Sequence, residues 1–268
     1  MKQLNIFNKF IYSIIDIKSY LVFLREKTAN GILYILLLSI VFGGIKGYGA
    51  AGEVKTYFNN ARTYIEQNKS NFKLQNGKMT IGDKAILKED GNTLLFIDTS
   101  YDYSQYDQKK LAQLNLEKYL TSTLIFRDMM IINNNGKQTV EKFSDFNFNI
   151  DADMAISLLS STNIVSAALI TIIVLQGFIG NLLLAVILAV TGLASAYWLK
   201  SKIRFKGLYR ISLYALTLPI IIDMVLFLLK VSVPFFDIIY FVIALTYVQK
   251  AIKLINTEVS EEELFIIG

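Results

Sequence analysis

The chain has 268 residues, a net charge of +5, 53% hydrophobic residues, only two prolines, and neither Cys nor His. Without His or Cys, the usual general base, thiol nucleophiles, disulfides and most ligands of zinc, haem and iron–sulfur centres are missing, so no cofactor or metal is expected. A mean hydropathy of +0.43 at 18% charged residues is too high for an ordinary soluble protein and requires the apolar residues to be concentrated in tracts.

The charge divides unevenly: residues 1–45 are net +3, residues 46–155 neutral and residues 156–268 net +2. The basic excess flanks apolar runs and is not interleaved with aromatics in a patch, so membrane flanks account for it and nucleic acid is not an expected partner.

In chain order, residues 1–28 contain Phe7–Leu24, which mixes Phe, Ile, Tyr and Leu with Asp16 and Lys18 and reads as an interfacial cytoplasmic helix lying on the bilayer. Residues 29–48 form a first transmembrane helix, with Lys46 placed to snorkel at its end. Tyr48-Gly49-Ala50-Ala51 offers small residues after this apolar run, but the long preceding segment favours an uncleaved anchor over a signal peptide.

Residues 49–153 read as a small extracytoplasmic α+β domain. A helix over Glu53–Lys69 places Val54, Tyr57, Ala61 and Tyr64 on one face. Short strands follow at 72–74, 78–81, 85–87 and 93–97, with hairpin turns at Asn76-Gly77 and Asp90-Gly91. Helix is expected over 106–121, then strands at 123–126, 129–132 and 138–143, with a turn at 133–136. The acids Asp98, Asp102, Asp107, Asp145, Asp151 and Asp153 fit no calcium loop and read as solvated.

Residues 154–250 read as a bundle of four further transmembrane helices, making about five in an α-helical membrane fold, followed by a short polar tail at 251–268. The 46 residues between Asp153 and Lys200 carry no charge. One straight helix of that length would span about 69 Å against a hydrocarbon core of about 30 Å, so two crossings with a turn at 177–181 are expected. Five basic residues before the first span place the N-terminus in the cytoplasm and, by parity, the C-terminus outside. That parity conflicts with the Lys200, Lys202, Arg204 and Lys206 loop, which a re-entrant segment within 154–199 would return to the cytoplasm.

Ionisable groups inside spans are the candidate functional or packing residues. Asp223 lies four residues after Pro219, whose ring frees a carbonyl, and Lys230 sits seven residues on, placed to reach back to it. Asp237 follows Pro234 in the first turn of the last span, where an acid suits the helix dipole. Arg210, Tyr214 and Thr217 form one polar stripe, read as a snorkelling Arg with Tyr in the aromatic belt. Ala185, Ala189, Gly192 and Ala196 make a small-residue stripe for close helix contact, within the chain or in a homo-oligomer.

The run Tyr209-Arg210-Ile211-Ser212-Leu213-Tyr214-Ala215-Leu216-Thr217-Leu218-Pro219, the later Val233-Pro234-Phe235-Phe236, the opening Phe7–Ser13 with Lys18 and Arg25, and Phe96-Ile97-Asp98-Thr99 together resemble domain-of-unknown-function family 1189. These are Gram-positive bacterial membrane proteins, some labelled maltodextrin utilization protein and distantly similar to the Yip family. The resemblance covers essentially the whole chain. It implies a multi-pass protein of the bacterial plasma membrane with an extracytoplasmic insert and a link to sugar uptake, and it brings no catalytic residues. The expected function is a non-enzymatic accessory, sensor or scaffold that contacts the bilayer and another membrane protein such as a transporter. The alternative is a small transporter or channel-like component using Asp223.

Overall fold

A computed structural model describes residues 4–260 except 83, 135, 147 and 232. The chain forms two compact units: one from the segments up to Glu53 and from Ile164 onward, the other from Val54–Asn163.

The first unit is a helical bundle. Helices α1 (Ile6–Ile15) and α2 (Tyr20–Arg25) are separated at Asp16, whose carboxylate accepts from the Lys18 backbone N–H and the Ser19 hydroxyl. The opening segment is thus two helices, not one. Tyr20, Phe23 and Leu24 are buried in the bundle, while Phe7 and Ile15 stay exposed as a surface helix would leave them. Helix α3 (Thr28–Leu38) passes through a π-helical turn, Ser39–Gly43, into α4 (Gly44–Gln67). The first apolar helix therefore continues without a break into the region expected to hold a separate helix from Glu53, because Gly47, Gly49 and Gly52 lower helix propensity without terminating it.

Helix α7 (Thr162–Trp198) is continuous, and this corrects the expected pair of crossings. The turn at 177–181 does not form. Gly177, Gly180 and Asn181 lie inside the helix, whose own hydrogen-bond ladder pairs their backbone groups. At 37 residues α7 is about 55 Å long, so one helix takes up the excess length by running past a 30 Å core. Helices α8 (Phe205–Ala215) and α9 (Thr217–Leu228) form one apolar rod interrupted at Leu216, and α10 (Phe236–Glu258) closes the bundle. Among the described residues four helices are long and apolar enough to cross a membrane, where five were expected. Helix α10 also runs eight residues into the segment read as a polar tail; residues 261–268 of that tail lie outside the described residues.

Close packing rests on missing side chains. A Cβ on Gly47 would sit 2.9 Å from Ile170 Cα, and one on Gly43 would sit 3.2 Å from Val174 Cα, so this G-x-x-x-G pair brings α4 against α7 backbone to backbone. Ala185, Ala189 and Ala196 are fully or almost fully buried, and a Gly192 Cβ would press on Val248 and Leu208. The small-residue stripe is thus buried inside the chain.

The second unit is α+β. Strands β1 (Lys73–Gln75) and β2 (Lys78–Thr80) form the Asn76-Gly77 hairpin, both turn residues having positive φ, and β1 also pairs with β8 (Ile150–Asp151). A five-stranded sheet has the order β3 (Ile86–Asp90), β4 (Thr93–Asp98), β5 (Thr121–Phe126), β6 (Met129–Asn134), β7 (Lys137–Lys142). Only β4–β5 is parallel, and the crossover between them holds the short α5 (Gln108–Ala112). The helix expected over 106–121 shrinks to these five residues because Asn115 turns left-handed at φ 47° and Thr121 already belongs to β5. Alternation along β5 buries Ser122, Leu124 and Phe126 on one face. There Phe96, Phe126, Tyr103 and Tyr106 form an aromatic core, and each fully buried large side chain contributes about 1.5–3 kcal/mol. Helix α6 (Ala152–Ser160) packs Ala152 and Ala155 with Ile65, Phe72 and Ile81 in a second core. The packed face of α4 is that of Ile65 and Tyr64, whereas Tyr57 and Ala61 point outward.

Candidate functional site

Two polar centres lie within the bundle. The first joins α1, α2, α3 and α8. Phe23 stacks on Tyr214 with ring centroids 4.0 Å apart, and Tyr34 lies 4.9 Å from the same ring. The Tyr34 hydroxyl is 2.7 Å from Thr217 Oγ1, which donates onward to the Tyr214 carbonyl at 2.7 Å. Lys9 Nζ is 2.7 Å from Glu26 Oε2, both side chains being nearly buried. Arg210 donates to the Leu24 carbonyl at 2.9 Å and to Thr28 Oγ1 at 3.2 Å. With Lys9 paired to Glu26 and the donors of Tyr34, Tyr214, Thr217 and Arg210 engaged, this centre is suited to holding helices in register.

The second centre is open. A cavity of about 600 Å³ lies between α3, the π-helical turn, α4, α7, α9 and α10. Lys46 donates to Asp223 Oδ2 across it, with the ammonium 5.7 Å from the Phe227 ring. Asp237 lines the same cavity, and Tyr240 donates to Asn181 Oδ1 at 3.0 Å. Ser39, 4% exposed, also lines it, and its Oγ has no hydrogen-bond partner among the described residues. The π-helical turn carries this serine, an irregularity that recurs at functional positions of helices. The centre combines fixed charges of both signs with unused hydrogen-bonding capacity.

The family model described as protein of unknown function (DUF1189) matches residues 7–252. The chain belongs to this family. No curated protein and no solved structure matches it.

For this DUF1189 member, the sequence-expected residues separate into the two centres. Arg210, Tyr214 and Thr217 do share a face, but that face is buried: Arg210 is 8% exposed and the other two fully covered. They are therefore neither a snorkelling Arg nor part of an aromatic belt, because Glu26, Thr28 and Leu24 of the opening segment supply their partners. Pro219 occupies the first turn of α9, just past the Leu216 break, and has no N–H to offer the Ala215 carbonyl. Asp223 pairs with Lys46, not with Lys230, and Lys46 turns inward instead of snorkelling. Asp237 stands in the first turn of α10, as its spacing implied, with Pro234 two residues before the helix, not inside it. Sequence reasoning missed Ser39, Asn181, Tyr240, Gly43 and Gly47. Only the glycine pair left a readable signal, a G-x-x-x-G in an apolar tract.

In the α+β unit the acids act locally. Asp107 and Asp151 cap α5 and α6, Asp153 pairs with Lys69 at 2.5 Å, and Asp98 accepts from the Ser100 N–H. Asp102 accepts from Arg127 Nε at 2.7 Å, and this hydrogen bond, ahead of the weaker one from Lys78, holds its carboxyl below the usual range. Among the described residues no group of three acids is placed to hold a metal ion.

Proposed function

We propose that the protein is a non-enzymatic accessory of the plasma membrane: a four-crossing bundle with both chain ends in the cytoplasm and the α+β unit on the extracytoplasmic side. One observation supports this reading above the others. With α7 a single helix, the number of crossings becomes even, and the conflict between the two basic segments disappears. The hydrogen bonds from Arg210 to Leu24, Tyr214 to Glu26 and Asn256 to Leu199 gather the start of α3, the α7–α8 loop and the last turns of α10 at one end of the bundle. That end carries Lys18, Arg25, Lys27, Lys200, Lys202, Arg204, Lys206, Lys250 and Lys253, whereas Lys46, Asp223 and Asp237 lie toward the other. Such an asymmetry belongs in the cytoplasm. Exposed Tyr197 and Trp198 beside Lys200 suit the headgroup level there.

The accessory role has a second membrane protein as its partner, and the resemblance implies a sugar transporter. The test of sidedness uses the cysteine-free background. Ser100→Cys, Lys206→Cys and Ser260→Cys, probed on intact cells with an impermeant thiol reagent, are expected to label at 100 alone. Labelling at 206 or 260 refutes the orientation. A transporter reading draws on Asp223 beside the cavity, but Lys46 neutralises that carboxylate, which disfavours it as a free cation or proton site.

A further inference from the structure

We propose that the bundle cavity is a binding site for a membrane lipid whose headgroup carries a primary ammonium. The inference rests on the membrane reading above and adds a ligand to it. The cavity falls within the usual range for ligand sites, about 300–1,000 Å³. Within it Lys46 and Asp223 neutralise each other and leave the Asp237 carboxylate, which has no ion-pair partner among the described residues. The net charge of the lining is therefore negative, which favours a cationic group and disfavours an anionic one. Ser39 Oγ, buried and without a partner among the described residues, and the Asn181 amide beside Tyr240 supply hydrogen-bonding atoms for an N–H donor and for the phosphate ester attached to it.

Apart from Gln176, the remainder of the lining is apolar, with Leu38, Phe42, Leu184, Ile220 and Phe236 offering nothing to a water-soluble amine and a fitting surface to acyl chains. Access is lateral. Gly177 and Gly180 line the cavity, and a Cβ at either would meet nothing within 4 Å, so the α7 wall is bare over that turn. Leu183 and Ile187, one turn and two turns further along α7, line the cavity and are 61% and 52% exposed. A lipid with its tails in the bilayer can thus place its headgroup inside without leaving the membrane.

The test uses the full chain, purified in a non-ionic maltoside, delipidated, and supplied with mixed micelles of phosphatidylethanolamine, phosphatidylcholine or phosphatidylglycerol. Native mass spectrometry is expected to retain one phosphatidylethanolamine per chain, and that lipid alone is expected to raise the melting temperature. Phosphatidylcholine, which keeps the charge but has no N–H, is expected to bind at least about tenfold more weakly. Gly180→Leu fills the open space and is expected to abolish retention with the lipid-free melting temperature unchanged; Asp237→Asn is expected to weaken it about tenfold or more. If Gly180→Leu does not reach the membrane, Asp237→Asn decides alone. Equal binding of the three lipids, preference for phosphatidylglycerol, no retained lipid, or the same stabilisation from free ethanolamine overturns the proposal. Thiol labelling on cells reports sidedness separately, so the two readings fail by different measurements.

Discussion

Glu26 Oε2 accepts a hydrogen bond from the Tyr214 hydroxyl at 2.7 Å and another from Lys9 Nζ at 2.7 Å, so one oxygen ties α1 to α8. Glu26→Ala leaves the Lys9 ammonium nearly buried and unpaired, a loss of about 3–5 kcal/mol. Tyr214→Phe removes a single bond to a charged acceptor, about 1.5–3 kcal/mol. Thermal melting of the detergent-purified variants checks both, and the double variant Lys9→Met/Glu26→Leu is expected to recover most of the Glu26→Ala loss.

Lys46 and Asp223 stand 177 positions apart and form the ion pair that spans the cavity. Lys46→Gln and Asp223→Asn are each expected to lower stability, and the double variant to cost less than their sum, with a coupling of about 0.5–3 kcal/mol. Lys230→Gln, at the position that sequence spacing alone assigned as the partner, is expected to be neutral. A coupling to Lys230 in the same double-variant cycle contradicts the pairing.

The α4–α7 contact depends on backbone approach at Gly47 and Gly43. Gly47→Ala puts a methyl 2.9 Å from Ile170 Cα and forces the helices apart, about 1–3 kcal/mol of overpacking, whereas Gly177→Ala meets open space. Fluorescence-detected size exclusion after graded heating is expected to separate the two variants.

Two glycines with left-handed backbone differ in their surroundings. Gly77 at φ +70° would place a Cβ 2.7 Å from Ser144 Cα, while Gly91 at φ +55° has nothing within 4 Å. Gly91→Ala is expected to lose only the conformational term, about 1–2 kcal/mol, and Gly77→Ala clearly more. Hydrogen–deuterium exchange over residues 73–80 reports the difference as lost protection.

Acid is expected to loosen the Arg127–Asp102 corner. The folded-state carboxyl of Asp102 lies below its ordinary value of 3.8, first through the hydrogen bond from Arg127, so its stabilising contribution is complete above that value and is lost as pH falls through the lower folded value. Protection of the Arg127 N–H, which donates to the Tyr101 carbonyl, is expected to drop below pH 4 in the native chain after correction for intrinsic exchange. In Asp102→Asn that pH dependence is expected to vanish.

Composition and period alone specified the class of each part. Uncharged tracts, a neutral polar insert with Asn76-Gly77 and Asp90-Gly91 turns, and basic residues beside the apolar runs specify apolar helices and a small α+β unit, because these are local properties of composition and period. Tertiary structure decided how many helices there are and which charges meet. Gly177 and Asn181 look like a turn to a rule drawn from helices in water, yet they stay inside one long apolar helix, and that one difference changes the number of candidate spans. The partners of Asp223, Arg210 and Tyr214 lie more than 170 positions away, and no spacing rule within one helix reaches them.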